Sequence, residues 1–305
     1  MNPDIVGFAE GEAGLNWPAM ANALAAGHKL PRAEIRDTLI RRGDDTLLNR
    51  SAWIDGLGMA VKVATIFPGN TARGMPSVGG AVSLFNDRDG SLDAMIDFHL
   101  VTKWKTAADS LLAAMRLARP DSRTILIVGA GTVAATLVAA YSSVFKDARF
   151  LVWNRTAKGA ARLAAQHANI TVAADLAAAV AQADIITCAT MATSPVLRGT
   201  WLRPGQHIDL IGAYRPDMRE ADDTALQRAR IFVDSRETVL EHIGELRDPL
   251  RSGAITAGDI IADYYQPELF TRQNDSEITL FKNGGGAHLD LMTARYILDI
   301  WRQRQ

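Results

Sequence analysis

The chain has 305 residues, about twice the usual single-domain length, so two domains are the expectation. With 48% hydrophobic and 22% charged residues the composition is ordinary for a globular protein, excluding disorder, collagen-like repeats and a disulfide scaffold. Lys and Arg number 33 against 34 Asp and Glu, and the net charge of −1 gives no overall field to draw nucleic acid or an anionic membrane. Cys188 is the single cysteine, which rules out an internal disulfide and a multi-cysteine metal site; it reads as a small core residue. The opening MNPDIVGFAEGEAG has acids and no apolar run, and no stretch approaches the roughly 20 residues of a membrane span. A cytoplasmic protein is expected.

In the N-terminal third, 61–67, 80–85 and 94–98 read as strands. They are joined by the turn signals Pro68-Gly69-Asn70 and Asp87-Arg88-Asp89-Gly90, a spacing that predicts an antiparallel sheet. A helix is predicted over 106–117, with Ala108, Leu111, Leu112 and Met115 on one face. Thr106-x-x-Asp109 resembles a capping box at its start, and Lys103 and Lys105 then flank that N-terminus, either as solvated charges or as an anion-attracting pair. The polar segment Ala118-Arg119-Pro120-Asp121-Ser122-Arg123 marks a boundary. After it, strands at 124–128, 149–153, 170–172 and 184–189 alternate with helices at 132–145, 157–167 and 174–182. Strands at 207–212 and 230–234 follow, the second preceded by a helix at 222–229. This alternation predicts an α/β fold with a Rossmann-type, doubly wound parallel sheet. Leu289, Met292, Tyr296 and Ile300 recur at helical spacing in a last helix.

Gly129-Ala130-Gly131-Thr132-Val133-Ala134 follows the apolar strand directly and opens a helix, fitting the dinucleotide fingerprint G-x-G-x-x-A. Gly129 permits the tight turn, Gly131 lets backbone approach a pyrophosphate, and Ala134 allows close packing of helix on strand. At the end of the next strand, where an NAD site usually carries an acid, stands Trp153-Asn154-Arg155-Thr156. Arg155 suits a 2′-phosphate, with Asn154 and Thr156 donating hydrogen bonds to it; the other reading is a solvated arginine beside an Asn or Thr helix cap. NADPH is the expected cofactor, with NADH as the alternative.

Further segments complete a pattern: Gly58-Met59-Ala60-Val61-Lys62-Val63, Phe67-Pro68-Gly69-Asn70, Lys105-Thr106-Ala107-Ala108, Gly212-Ala213-Tyr214-Arg215-Pro216-Asp217-Met218-Arg219-Glu220 and Asp275-Ser276-Glu277-Ile278-Thr279-Leu280-Phe281-Lys282. From about residue 45 onward the chain resembles the ornithine cyclodeaminase/mu-crystallin family. The resemblance implies a homodimer whose Rossmann domain, 120–282, is inserted in a substrate and dimerisation domain made of 1–119 and 283–305. It implies hydride exchange at the carbon beside the carboxylate of an amino or imino acid. Lys62 is implied near the reacting carbon, and Thr106, Thr132, Val133, Thr190, Met191 and Gly212 complete the implied cofactor contacts.

Two departures narrow the chemistry. Members that cyclise ornithine carry a Gly-Gly-Asp-x-Pro-like segment whose Asp moves protons; here that register reads Gly212-Ala213-Tyr214-Arg215-Pro216. A tyrosine with a pKa near 10 is a poor proton shuttle at neutral pH. Lys105 stands where the family usually has Arg, keeping the charge but losing the bidentate fork. Reduction of a preformed cyclic imine needs only cations for the 2-carboxylate, a protonated nitrogen and a hydride donor. Lys62, Lys105 and Arg50 supply the cations, although taken alone Lys62 also fits the polar face of a half-buried strand and Arg50 an exposed strand edge. Tyr214 either hydrogen-bonds the imine or walls the pocket.

The expected function is therefore NAD(P)H-dependent reduction of 1-pyrroline-2-carboxylate or 1-piperideine-2-carboxylate to proline or pipecolate. Ornithine cyclodeamination, and non-enzymatic binding of NADPH or a small ligand, are the alternatives. His99, His207 and His288 are isolated in sequence and Asp87–Gly90 lacks the further acids of a calcium loop, so no metal is expected.

Overall fold

The computed structural model describes residues 2–305. These divide into two compact units, one running to Ala108 and resuming at Gly285–Gln305, the other Asp109–Gly284. In chain order the first unit contributes β1 (Asp4–Val6), α1 (Phe8–Glu12), α2 (Trp17–Gly27), β2 (Glu34–Arg42), β3 (Asp45–Ile54), β4 (Gly58–Ile66), β5 (Val78–Phe85) and β6 (Leu92–Asp97), and α3 (Phe98–Leu117) begins in it. The second holds β7 (Thr124–Val128), α4 (Thr132–Val144), β8 (Arg149–Trp153), α5 (Ala157–Ala164), β9 (Ile170–Val172), α6 (Leu176–Gln182), β10 (Ile185–Cys188) and β11 (His207–Leu210). It continues with α7 (Asp223–Arg228), β12 (Arg230–Val233), α8 (Arg236–Val239), α9 (Gly244–Ser252), β13 (Ile260–Asp263) and β14 (Thr279–Lys282), and α10 (Ala287–Arg302) returns to the first unit.

The first unit is a six-stranded sheet in the order β1-β6-β5-β4-β3-β2, antiparallel except for the parallel pair β1–β6. In β4, Gly58, Ala60, Lys62 and Ala64 are buried and alternate with half-buried neighbours, the period-2 signature of a strand with one covered face. The cover is α10, which packs on β3 and β4 and against α2. Alanines on either side of Lys62 leave room for a lysine beneath that helix.

The second unit is an eight-stranded, wholly parallel sheet in the order β13-β12-β14-β11-β10-β7-β8-β9. β7 is buried along its whole length, which is why it reads as an unbroken apolar run. The chain winds outward from β7 through β8 to β9, then returns to β10 on the other side of β7. The order therefore reverses between β7 and β10, the place where doubly wound sheets bind ligands.

One helix boundary differs from expectation in a way that matters for the site. The helix expected to open at Thr106 begins at Phe98, where Asp97 Oδ1 accepts the Leu100 N–H at 2.8 Å. Thr106 and Asp109 are helix interior, so they form no capping box, and Lys103 and Lys105 do not flank a helix start. Those two lysines had broken the apolar pattern for a physical reason: Lys103 pairs with Glu12, whereas Lys105 turns into the interior. The division between the units also falls inside this helix rather than at the Pro120 segment. Asp109 and Ser110 are tied to the second unit, the first accepting from Tyr264 Oη at 2.8 Å and the second from Asn283 Nδ2 at 3.1 Å. Among the described residues no helix is long and apolar enough to cross a membrane.

Candidate active site

Antiparallel pairing of β3 with β4 sets Arg50 directly opposite Lys62, which places both side chains on the same face of the sheet. β3 lies between β2 and β4, so Arg50 is a half-buried group of an inner strand, not a charge on a sheet edge. α3 brings Lys105 to the same place and α10 brings Asp290. Lys62 Nζ donates to Asp290 Oδ1 at 2.9 Å and to Thr102 Oγ1 at 2.8 Å, and lies 4.7 Å from the centre of the Phe98 ring. Lys105 Nζ is 3.5 Å from Asp290 Oδ1 and donates to the Gly285 carbonyl at 3.0 Å. Arg50 donates to that same carbonyl at 2.7 Å and pairs with Asp37 at 2.9 Å. Gly285 has φ +67°, a conformation glycine adopts freely, and its carbonyl accepts from two cations at once.

Three cations thus surround a single fully buried carboxylate. Burial is the largest influence on Lys62 and pushes its ammonium down, Asp290 pulls it back up, and Lys105 and Arg50 push it down again; the outcome is a pKa of about 8. For Asp290 burial works upward, but Lys105, Lys62 and Arg50 together outweigh it and hold the carboxyl below its usual range. The position of Asp290 in the first turn of α10 adds the favourable end of the helix dipole. His288, also on α10 and buried, meets the His28 ring edge-on at 5.2 Å. Burial first, then His28 and Lys105, keep it well below its ordinary pKa, so this ring is neutral near pH 7. The cluster carries a buried excess of positive charge, which a small carboxylate would neutralise.

Asp290 escaped the sequence reading altogether, and His288 was read there only as an isolated histidine. The available signal was an acid and a histidine in the first turn of a helix that opens just after Gly284-Gly285-Gly286, within a stretch that is otherwise apolar but for Thr293 and buried throughout.

In the second unit, Gly129 ends β7 with φ +111°, and a Cβ there would lie 2.6 Å from the Ala189 carbonyl oxygen, so only glycine fits. Gly131 behaves oppositely: an added Cβ would meet nothing within 4 Å, and no side chain caps α4. Open space over Gly131, with the first N–H groups of α4 beside it, is the cradle a pyrophosphate requires, and Ala134 is buried as the third small position. These residues fit a dinucleotide. Thr132 and Val133 form the first turn of α4. Beyond β8, Asn154 donates to Thr156 Oγ1 at 2.8 Å, while Arg155 is exposed with no ion pair among the described residues. Thr190 and Met191 follow β10 and Gly212 follows β11. Met191 is exposed, and the Thr190 hydroxyl is held by Glu220 at 2.7 Å.

The structure gathers Arg50, Lys62 and Lys105 into one cluster, with Thr106 next along α3 and half-buried. Tyr214 belongs to the second unit, where its ring is 53% exposed beneath the Arg215 guanidinium. Among the described residues no group of three or more His, Cys, Asp or Glu is placed to hold a metal ion.

With this geometry in place, comparison with known proteins is informative. Residues 52–305 match the ornithine cyclodeaminase/mu-crystallin family. The chain belongs to that family. A relative from Paracoccus denitrificans, named Delta(1)-pyrroline-2-carboxylate reductase, is 52% identical over 303 residues, covering 97% of this chain and 96% of the relative. Among solved structures of similar fold is the Thermococcus litoralis Delta(1)-pyrroline-2-carboxylate reductase in complex with NADH and L-proline, with a TM-score of 0.89, 27% identity and 98% of each chain covered. An archaeal alanine dehydrogenase dimer with bound NAD has a TM-score of 0.91 at 25% identity, covering 100% of this chain and 97% of that one. The α/β architecture described above is thus shared with these two structures.

Proposed function

We propose that this chain reduces a cyclic 2-carboxy imine, 1-pyrroline-2-carboxylate or its six-membered homologue 1-piperideine-2-carboxylate, to proline or pipecolate. The observation that carries the reading is the pairing of Lys62 and Lys105 with buried Asp290, with Arg50 beside them on the Gly285 carbonyl, in a member of this family. Lys105 and Arg50 hold the substrate carboxylate, each in exchange for part of its present contact with the Gly285 carbonyl. Lys62, protonated below a pKa of about 8, has two N–H groups bound to Asp290 and Thr102, and its third gives a proton to the imine nitrogen. Asp290 keeps that ammonium charged and placed. A nicotinamide dinucleotide held at Gly129, Gly131 and the start of α4 would supply hydride to the imine carbon; with the proton from Lys62 the C=N bond becomes CH–NH, and solvent reprotonates Lys62.

NADPH is preferred over NADH because exposed Arg155 offers a charge-assisted partner to a 2′-phosphate. The working form is a cytoplasmic homodimer. In support, β2 is the end strand of its sheet among the described residues, leaving backbone groups that a second copy could pair, and Leu39 and Ile40 on it are 56% and 63% exposed.

Supplying NADPH or NADH with each cyclic imine, and separately ornithine with catalytic NAD⁺, tests the reading. Nicotinamide oxidation with the imines alone is expected; ammonia from ornithine without net cofactor change would replace it with cyclodeamination.

A further inference from the structure

Glu220 is a fully buried carboxylate in the second unit, on the segment between β11 and α7. Its Oε1 accepts the Thr190 N–H and the Thr190 hydroxyl, each at 2.7 Å, and its Oε2 accepts the Gly212 N–H at 2.6 Å. One side chain therefore ties the loop after β10 to the loop after β11. The two loops interlock so closely that a Cβ on Gly212 would lie 2.0 Å from the Thr190 oxygen and 2.6 Å from Glu220 Oε1.

Glu220 is itself held. Its carbonyl accepts the Val196 and Leu197 N–H groups, and the buried Glu245 carboxylate on α9 accepts the N–H groups of Glu220 at 2.7 Å and Ala221 at 2.9 Å. The charged and titratable groups facing it are Glu245, Lys282 of β14, which is buried and donates to the Leu210 and Asn283 carbonyls, and the Cys188 thiol of β10. Burial, then the Glu245 charge, push Glu220 up to about 8. A buried carboxyl is costly unless it is hydrogen-bonded, and this one is held by three donors drawn from two loops.

We propose that Glu220 is a positioning residue for the nicotinamide half of the cofactor. In a doubly wound sheet the strands on one side of the switch point, here β7 to β9, take the adenosine half, and those on the other, β10 and β11, take the half that reacts. The two loops that Glu220 joins are those at the ends of β10 and β11. Its carboxylate fixes their spacing, and with it the floor on which the nicotinamide ring rests. Glutamine cannot replace it: with its oxygen toward Thr190, its NH₂ would face the Gly212 N–H, donor against donor. The inference rests on the reading that this unit binds a nicotinamide dinucleotide.

Two probes separate positioning from general support: NADPH and 2′-phospho-ADP-ribose, which lacks the nicotinamide. Glu220→Gln is expected to weaken NADPH about tenfold or more, as a buried Gly212 N–H left without an acceptor would, and to leave 2′-phospho-ADP-ribose within about twofold. The KM for NADPH rises in parallel. Glu245→Gln, which loosens the backbone of Glu220 while leaving its side-chain bonds to Thr190 and Gly212 in place, gives the same pattern more weakly and serves if Glu220→Gln does not fold. Unchanged NADPH affinity in both variants, or equal weakening of both probes, overturns the positioning role alone. Wild-type protein that binds neither probe, and does not bind NADH either, overturns the cofactor reading and this inference with it.

Discussion

Lys62 Nζ and Asp290 Oδ1 are 2.9 Å apart in a buried ion pair whose members come from β4 and from the C-terminal helix, 228 residues away in sequence. Lys105 approaches the same oxygen to 3.5 Å, so the carboxylate serves two cations. The pair does two things. It makes a buried lysine affordable, and it sets the fraction of that lysine that is protonated near neutral pH.

Replacing Lys62 with Met is expected to lower kcat/KM for the imine by about 10²- to 10⁴-fold, the usual worth of a general acid. Affinity for NADPH, measured by fluorescence titration, should stay within about twofold. Loss of both together would mark Lys62 as a structural residue.

As the proposed general acid, Lys62 must be protonated to act, so activity is expected to fall as pH rises through about 8. Asp290 raises the Lys62 pKa. In Asp290→Asn that support is gone, and the alkaline limb of the kcat/KM profile is expected to move to lower pH by about one unit or more. A limb that stays in place would assign the titration to another group.

Asp290 also ties stability to acid. Its carboxyl titrates below the ordinary value, so its contribution to stability is present above the unfolded pKa of about 4 and is lost as pH falls through the folded one. Asp290→Ala, which leaves Lys62 and Lys105 facing no carboxylate, should cost about 3–5 kcal/mol at neutral pH in urea unfolding. A cost under about 1 kcal/mol would show that the cluster relaxes around its absence.

Much of the fold was legible because its signals are local. β7 is a continuous apolar run that ends in Gly129-Ala130-Gly131, and the alternation of strand and helix after it announced a parallel sheet. The Lys62 strand showed its period of two. Asp290 was not legible, because a helical pattern read from Leu289, Met292, Tyr296 and Ile300 passes over an acid whose partners are remote in sequence. The start of α3 was misplaced for a related reason: Lys105 looks like a surface charge until Asp290 and the Gly285 carbonyl are beside it. β2 and β3 were not recognised as strands; β2 in particular is exposed along nearly all its length, which removes the apolar alternation that marks a covered strand.

In the proposed reaction Lys105 would offer the substrate carboxylate one charge-assisted hydrogen bond, worth about 1.5–3 kcal/mol. Lys105→Ala is expected to raise KM for the imine about 10- to 100-fold, with little change in KM for NADPH. An increase confined to NADPH would move Lys105 from the substrate to the cofactor.

Arg155→Ala removes the partner offered to a 2′-phosphate. KM for NADPH should rise about 10-fold or more while KM for NADH changes by less than about twofold. Equal effects on both would leave Arg155 as a solvated charge.

The central claim is hydride delivery to the imine carbon of a cyclic 2-carboxy imine. The most direct measurement uses NADPH deuterated at C4, with 1-pyrroline-2-carboxylate as substrate, and locates the label in the product. The account predicts proline carrying deuterium at C2, with one NADPH consumed for each molecule formed. Proline without deuterium from either C4-labelled face, or no consumption of NADPH in the presence of the imine, would contradict it.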